Sequence, residues 1–480
     1  MADTEATSEP LHLAIVGGGV AGCEAARWAA ANGARVTLFN AGLPLGGTCI
    51  HVGTFPARVL MTAATDHHRA AQARFDGIDT HSDTPDFTAL QHAQRSMGAR
   101  IRRRYYDELQ KHPGVNIVDA PASFEDETTL AAADNTYEPD RVLLTPGSYS
   151  TPPPIPGLDD VDTIELNDLA GLDTLPDKLT FLGGSAVSLS YAQALGRLGS
   201  SVTILTSEPR LFKPFHGRDI VGALTDILTD EGIEVAGGVD FDSIATQNQQ
   251  VCIRGEVDDQ PAEWTAGKIV IVDHRRPRID SLNLQRAGVE LTDDGYIVID
   301  ESLQTTNDRV FAAGDAIGRG EHAYAAAYDA TLAARNAIYP SRTAGHPTAV
   351  PYAVYTDPPL AGVGWTEPRA RNSGFDTDVA TTTLEQLPAG NAIAQSRGML
   401  KLIRDRRSDH LVGAQLIAPH AAELIMELAL AIRYGLTTAE LSALVHPPIS
   451  IGEAVARTAR RFSTNGSGST RQLPRPPARP

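Results

Sequence analysis

Residues 11–16 form a short run that is apolar but for His12, the pattern of a strand buried on both faces of a parallel sheet. A glycine-rich turn follows at 17–22. A helical stretch runs through 24–30 and is stopped by Asn32 and Gly33, and 35–39 reads as a second strand. The same order begins again with a strand at 178–182, a turn at 183–188 and a strand at 202–205. Residues 269–272 and the run that closes on Ala313, Gly314 and Asp315 supply two more buried strands. Residues 59–113 carry Ala, His, Arg and Gln at helical spacing and predict one or two long helices, with the basic run at 100–104 as a solvated face. From Pro351 the pattern changes to mixed strands and helices reaching about Phe462. The stretch from Ser463 is low-complexity, and disorder is expected there. Repeated strand–helix–strand units in 480 residues predict an α/β protein of two to four domains.

The first turn satisfies Gly-x-Gly-x-x-Gly at Gly17, Gly19 and Gly22. In such a turn the first glycine permits the tight bend, the second lets backbone approach a pyrophosphate, and the third lets helix pack on strand. The helix start presents free N–H groups to the phosphates. The strand that should close on an acid for the ribose ends instead in Asn40, which offers an amide without charge. The second turn keeps only Gly183 of the three glycines, with Ser185 and Ser188 at the other two positions. Its closing position is Thr206, and Ser190 follows on the helix. A second dinucleotide site is therefore expected at this turn, with weakened contacts.

Charge narrows the partners. A formal net charge of −18 repels nucleic acid and anionic lipid. No apolar run reaches membrane-spanning length, and the polar, acidic start is unlike a signal peptide. Three cysteines, Cys23, Cys49 and Cys252, suit a reducing compartment, so a cytoplasmic location is expected.

The stretch Gly46-Gly47-Thr48-Cys49-Ile50-His51-Val52-Gly53-Thr54-Phe55-Pro56-Ala57-Arg58 resembles the active segment of the flavoprotein (pyridine nucleotide) disulfide reductases. The nearest pattern is that of the soluble pyridine nucleotide transhydrogenase branch, which keeps one cysteine and puts Thr at the second position. Cys49 holds the first cysteine position and Thr54 the second. The segment around Gly147, the Ala-Gly-Asp ending at Gly314 and Asp315, and the C-terminal third also resemble that family. The resemblance implies FAD held by Gly46, Gly47 and Thr48 together with the first turn, Gly147, Gly314 and Asp315. It implies a FAD-binding domain over 10–165 and 295–345, interrupted by an NAD(P)-binding-like domain over 166–294. A dimerisation domain over 346–462 and a tail over 463–480 complete the chain. In that last domain the family's catalytic His position falls on Pro448, with His446 two residues earlier.

The implied activity is passage of hydride from NAD(P)H through flavin to a second nicotinamide or a quinone-like acceptor, without a redox disulfide. Arg58 is expected near the reduced ring, His51 as acid–base or supporting group, and Cys49 as nucleophile or small neighbour of the ring. A homodimer is expected. Two alternatives stay open: a flavoenzyme acting on a small molecule without NAD(P)H, and a catalytically quiet FAD-bound scaffold.

Overall fold

The computed structural model describes residues 9–212, 218–247, 250–319, 322–345 and 349–463. Among these, the apolar runs form two parallel five-stranded sheets and one five-stranded antiparallel sheet, with smaller antiparallel sheets beside them. In the first sheet the order is Val310–Ala312, Arg141–Leu144, His12–Val16, Arg35–Phe39, Val115–Val118. In the second it is Glu234–Gly237, Ser201–Thr206, Lys178–Leu182, Lys268–Ile271, Thr163–Glu165. The edge strand Val310–Ala312 comes from sequence beyond every strand of the second sheet, so the second Rossmann-like unit is inserted into the first. Side chains such as Leu13, Ile15, Val36 and Leu38 are fully buried, as an all-parallel sheet covered on both faces requires.

Helix Val20–Ala31 is alanine-rich because it packs closely against helix Ala323–Ile338, itself lined by Ala326, Ala330, Ala333 and Ala334. Small side chains let the two axes approach. The helical region expected over 59–113 is two helices, Thr54–Ala71 and Phe87–Gln110; Asp86 caps the second by accepting the Ala89 N–H at 2.9 Å. A three-stranded antiparallel sheet over Asp240–Gln247, Gln250–Val257 and Gln260–Ala266 packs on the second unit. The C-terminal unit is an antiparallel sheet ordered Tyr352–Val354, Leu360–Gly364, Leu411–Ile417, Met399–Asp405, Thr377–Thr383, with helices Ala421–Arg433 and Glu453–Ser463 packed on it. Residues 464–480, the rest of the expected tail, lie outside the described residues. Among the described residues no helix is long and apolar enough to cross a membrane.

Arg197 ties the second unit to the third. Its guanidinium, nearly out of solvent, donates to Glu231 at 2.7 and 2.8 Å and to Asp357 at 2.9 Å. Tyr191 on the same helix donates to the Val52 carbonyl at 3.0 Å, which fixes this helix against the segment that carries Cys49.

Candidate active site

Both glycine-rich turns open onto one continuous cavity of about 1490 Å³. The first turn is built for a dinucleotide. Gly17 has φ +116, and a Cβ there would lie 2.1 Å from the Thr145 carbonyl oxygen. A Cβ on Gly22 would lie 1.8 Å from the Gly17 oxygen. At Gly19, by contrast, nothing lies within 4 Å of the Cβ position, so bare backbone faces the cavity where a pyrophosphate would approach. Asn40 spends its side-chain N–H on the Leu43 carbonyl at 3.2 Å and aims its oxygen at Gly18. These residues fit FAD.

The Gly46–Arg58 segment is pinned to that turn. Gly46 N–H donates to the Gly18 carbonyl at 2.9 Å, and a Cβ on Gly47 would meet Gly19 Cα at 2.9 Å. Thr48, Gly147 and Gly314 line the same cavity. Asp315, also in the lining, accepts from Ser148 Oγ at 2.5 Å. Arg275 donates to that hydroxyl at 2.9 Å and lies 3.8 Å from the carboxylate. A charged group from the second unit thus braces the acid of the first.

Cys49 lines the cavity, partly buried, and is hydrogen-bonded by the Thr54 side chain. Burial pushes its thiol up to about 11; the Thr54 bond pulls the other way, and the nearby Asp315 charge adds to the rise. The three cysteines are all free. His51 and Arg58 turn away from the cavity. His51 Nε2 donates to the Leu45 carbonyl at 2.9 Å, burial lowers its pKa, and the ring borders a separate small pocket with Arg95 and Arg102. The Arg58 guanidinium lies over the Tyr355 ring, 4.6 Å from its centroid, and it is Tyr355 that lines the cavity.

At the second turn Gly183 has φ +117 and Ser185 is the helix N-cap, its hydroxyl accepting the Ser188 N–H at 3.2 Å. The Ser190 hydroxyl donates to the Ala186 carbonyl at 2.7 Å, and Thr206 Oγ1 accepts the Glu208 N–H at 3.2 Å. The backbone course suits a dinucleotide. Its anion seat is a different matter, because the Ser185 N–H already donates to the Asp273 carboxylate at 2.9 Å.

Sequence reasoning did not single out Asp273, the residue just past the buried strand at 269–272. It also missed His322, stacked on Tyr324 at 5.4 Å and on Tyr352 at 6.1 Å. His322 and Tyr324 line the cavity, and an aromatic pair at the start of the Ala-rich helix is the signal that could have found them. In the C-terminal unit His446 Nε2 lies 3.1 Å from Glu427, a partner remote in sequence, and Pro448 offers no proton-carrying group.

Residues 11–330 match the family model for pyridine nucleotide-disulphide oxidoreductases, and residues 350–459 match that family's dimerisation domain. A mercuric reductase of Shigella flexneri is 34% identical over 468 residues, covering 96% of this chain and 82% of the relative. One from Streptomyces lividans is 33% identical, covering 94% of this chain and 96% of the relative. Among solved structures, the HOCl-induced flavoprotein disulfide reductase RclA from Escherichia coli superposes with a TM-score of 0.81 at 26% identity, covering 94% of this chain and 99% of its own. The chain belongs to the pyridine nucleotide-disulphide oxidoreductase family, whose members bind FAD and use NAD(P)H.

Proposed function

We propose that this protein is a FAD-dependent oxidoreductase that takes hydride from a reduced pyridine nucleotide and passes the electrons to a small acceptor without an internal dithiol. The transhydrogenase-like active segment makes a second nicotinamide or a quinone-like ring the acceptor class. The observation that carries the reading is the Cys49–Thr54 hydrogen bond: the position that would hold a second thiol holds a hydroxyl, and the remaining thiol is neutral at pH 7. Reduction of a soft metal ion, the reaction named for the mercuric reductases, wants paired thiolates; Cys49 is the one cysteine lining the cavity.

Bound FAD would supply two-electron chemistry at its ring. The chain's own residues bind and orient. Gly17, Gly19 and Gly22 would admit the pyrophosphate, Asp315, held in place by Ser148 and Arg275, would accept from ribityl hydroxyls, and Cys49 would be a small neutral contact beside the ring. Tyr324 and Tyr355 line the same cavity. The dimerisation domain supports a homodimer. Helix Ala421–Arg433 with Tyr434 after it, and the stretch that follows the short helix Thr438–Ser442, leave Met426, Leu430, Tyr434, Val445 and Ile449 exposed, the kind of surface that a second copy would cover.

A second reading, a flavoenzyme acting on a small molecule without NAD(P)H, is favoured by one observation, the Asp273 carboxylate at the second turn. Anaerobic titration of the FAD-loaded protein with NADH and NADPH separates the two. Bleaching of the visible flavin band, without a long-wavelength thiolate band, is expected. A flavin-loaded protein that neither nucleotide bleaches would sink the first reading.

A further inference from the structure

Asp273 lies two residues beyond the strand Lys268–Ile271 and points its carboxylate into the turn between the strand Lys178–Leu182 and the helix Ala186–Arg197. Oδ2 accepts the Ser185 backbone N–H at 2.9 Å, and Oδ1 accepts the Ser188 hydroxyl at 3.0 Å. A Cβ on Gly183 would lie 2.1 Å from Oδ2, so the carboxylate packs on the bare face of that glycine. In a turn of this kind the residue at the second fingerprint position is the one whose backbone approaches a pyrophosphate. The positive end of the following helix is what favours an anion there.

Here one anion already occupies that place. Asp273 lines the cavity. A pyrophosphate seated on the Ser185 amide would have to displace the carboxylate from its hydrogen bond. It would then share the turn with a like charge a few ångströms away, inside a cleft that screens charge poorly. The partners of Asp273 are a backbone amide and a hydroxyl, neither of which neutralises it.

The geometry points to Asp273 as the residue that sets this protein's affinity for pyridine nucleotides: it holds the anion seat of the second turn with the chain's own carboxylate. This rests on the proposed use of a reduced pyridine nucleotide. In the same class of dinucleotide turn, a neutral side chain at 273 would leave the Ser185 amide free for a phosphate oxygen. Asp273 thus acts as a built-in competitor, and a nucleotide that binds in spite of it must recover the loss from its ribose and nicotinamide contacts.

The test uses FAD-loaded wild-type protein and its Asp273→Asn, Asp273→Thr and Asp273→Glu variants. Dissociation constants for NAD⁺ and NADP⁺ are measured by isothermal titration calorimetry, and flavin bleaching by NADH and NADPH is followed anaerobically in parallel. Removing the charge is expected to tighten nucleotide binding about ten- to a hundredfold, the scale of one like-charge repulsion at close range. Asp273→Glu, which keeps the charge, is expected to bind no more tightly than wild type. Asp273→Thr guards against a folding failure of Asp273→Asn. Equal affinities in charged and neutral forms overturn the inference, while bleaching in all of them leaves the proposed function standing. No binding and no bleaching in any form overturns both.

Discussion

The Thr54 hydroxyl hydrogen-bonds the Cys49 thiol across the break between the short helix Gly47–His51 and the long helix Thr54–Ala71. With the thiol pushed up to about 11, the thiolate at pH 7 is about one part in ten thousand. Iodoacetamide labelling of Cys49, followed by peptide mass spectrometry, is expected to be slow at pH 7. Its rate should rise about tenfold per pH unit up to about pH 11, following the thiolate fraction. Labelling at pH 7 as fast as that of an ordinary exposed thiol would remove the argument for a neutral Cys49.

Gly19 offers a cleaner probe of the flavin site than its neighbours. An alanine at Gly17 or Gly22 collides with the protein's own backbone, but an alanine at Gly19 meets no protein atom within 4 Å. Gly19→Ala should therefore fold with an unchanged melting temperature as apoprotein. Its FAD content after purification should fall about tenfold or more, because the added methyl stands where a phosphate approaches. A variant with full flavin content would show that the pyrophosphate does not pass over Gly19.

Asp273 also has a signature in stability. Burial raises its pKa, against the pull of the Ser185 and Ser188 hydrogen bonds and the neighbouring His274. Its folded-state pKa therefore lies above its unfolded one, so the stabilising contribution is full below the ordinary carboxylate pKa and is lost as pH rises through the raised value. Asp273→Asn is expected to raise the urea midpoint at pH 7, and the gain should shrink as the pH is lowered toward the ordinary carboxylate range. A gain that does not change with pH would contradict the assignment.

Arg197 predicts a larger effect on folding. Replacing it by Met leaves Glu231 with only the neutral Gln193 amide and Asp357 with only the more exposed Arg69, in a place nearly closed to water. Loss of about 3–5 kcal/mol is expected from urea unfolding. His51→Ala, which removes one hydrogen bond to the Leu45 carbonyl, should cost only about 1 kcal/mol by the same measurement.

What could be read from the sequence was local. The bends at Gly17 and Gly183, the Ala-Gly-Asp run at Asp315 and the helix starts are fixed by residues close together in the chain. What stayed hidden depends on pairing at long range. Ser185 and Asp273 are 88 positions apart, and they meet because Leu182 pairs with Ile271 across the second sheet. The directions of His51 and Arg58 were hidden for another reason. Both lie in the segment that resembles an active site, yet the turn of each helix takes one ring to the Leu45 carbonyl and the other side chain to Tyr355.

The insertion of one parallel sheet into another dictates an order of assembly. Arg141–Leu144 keeps an open edge until Val310–Ala312 leaves the ribosome, by which time every strand of the second sheet has emerged. At ordinary rates of synthesis, 294 residues after Val16 means a wait of roughly 15 to 60 s for the first sheet. The later unit can therefore be folded while the earlier one is still unfinished. Asp315 comes last of the residues expected to hold flavin, so the cofactor is captured only after most of the chain has been made. Until then an apolar strand edge stands exposed, which is where aggregation would begin.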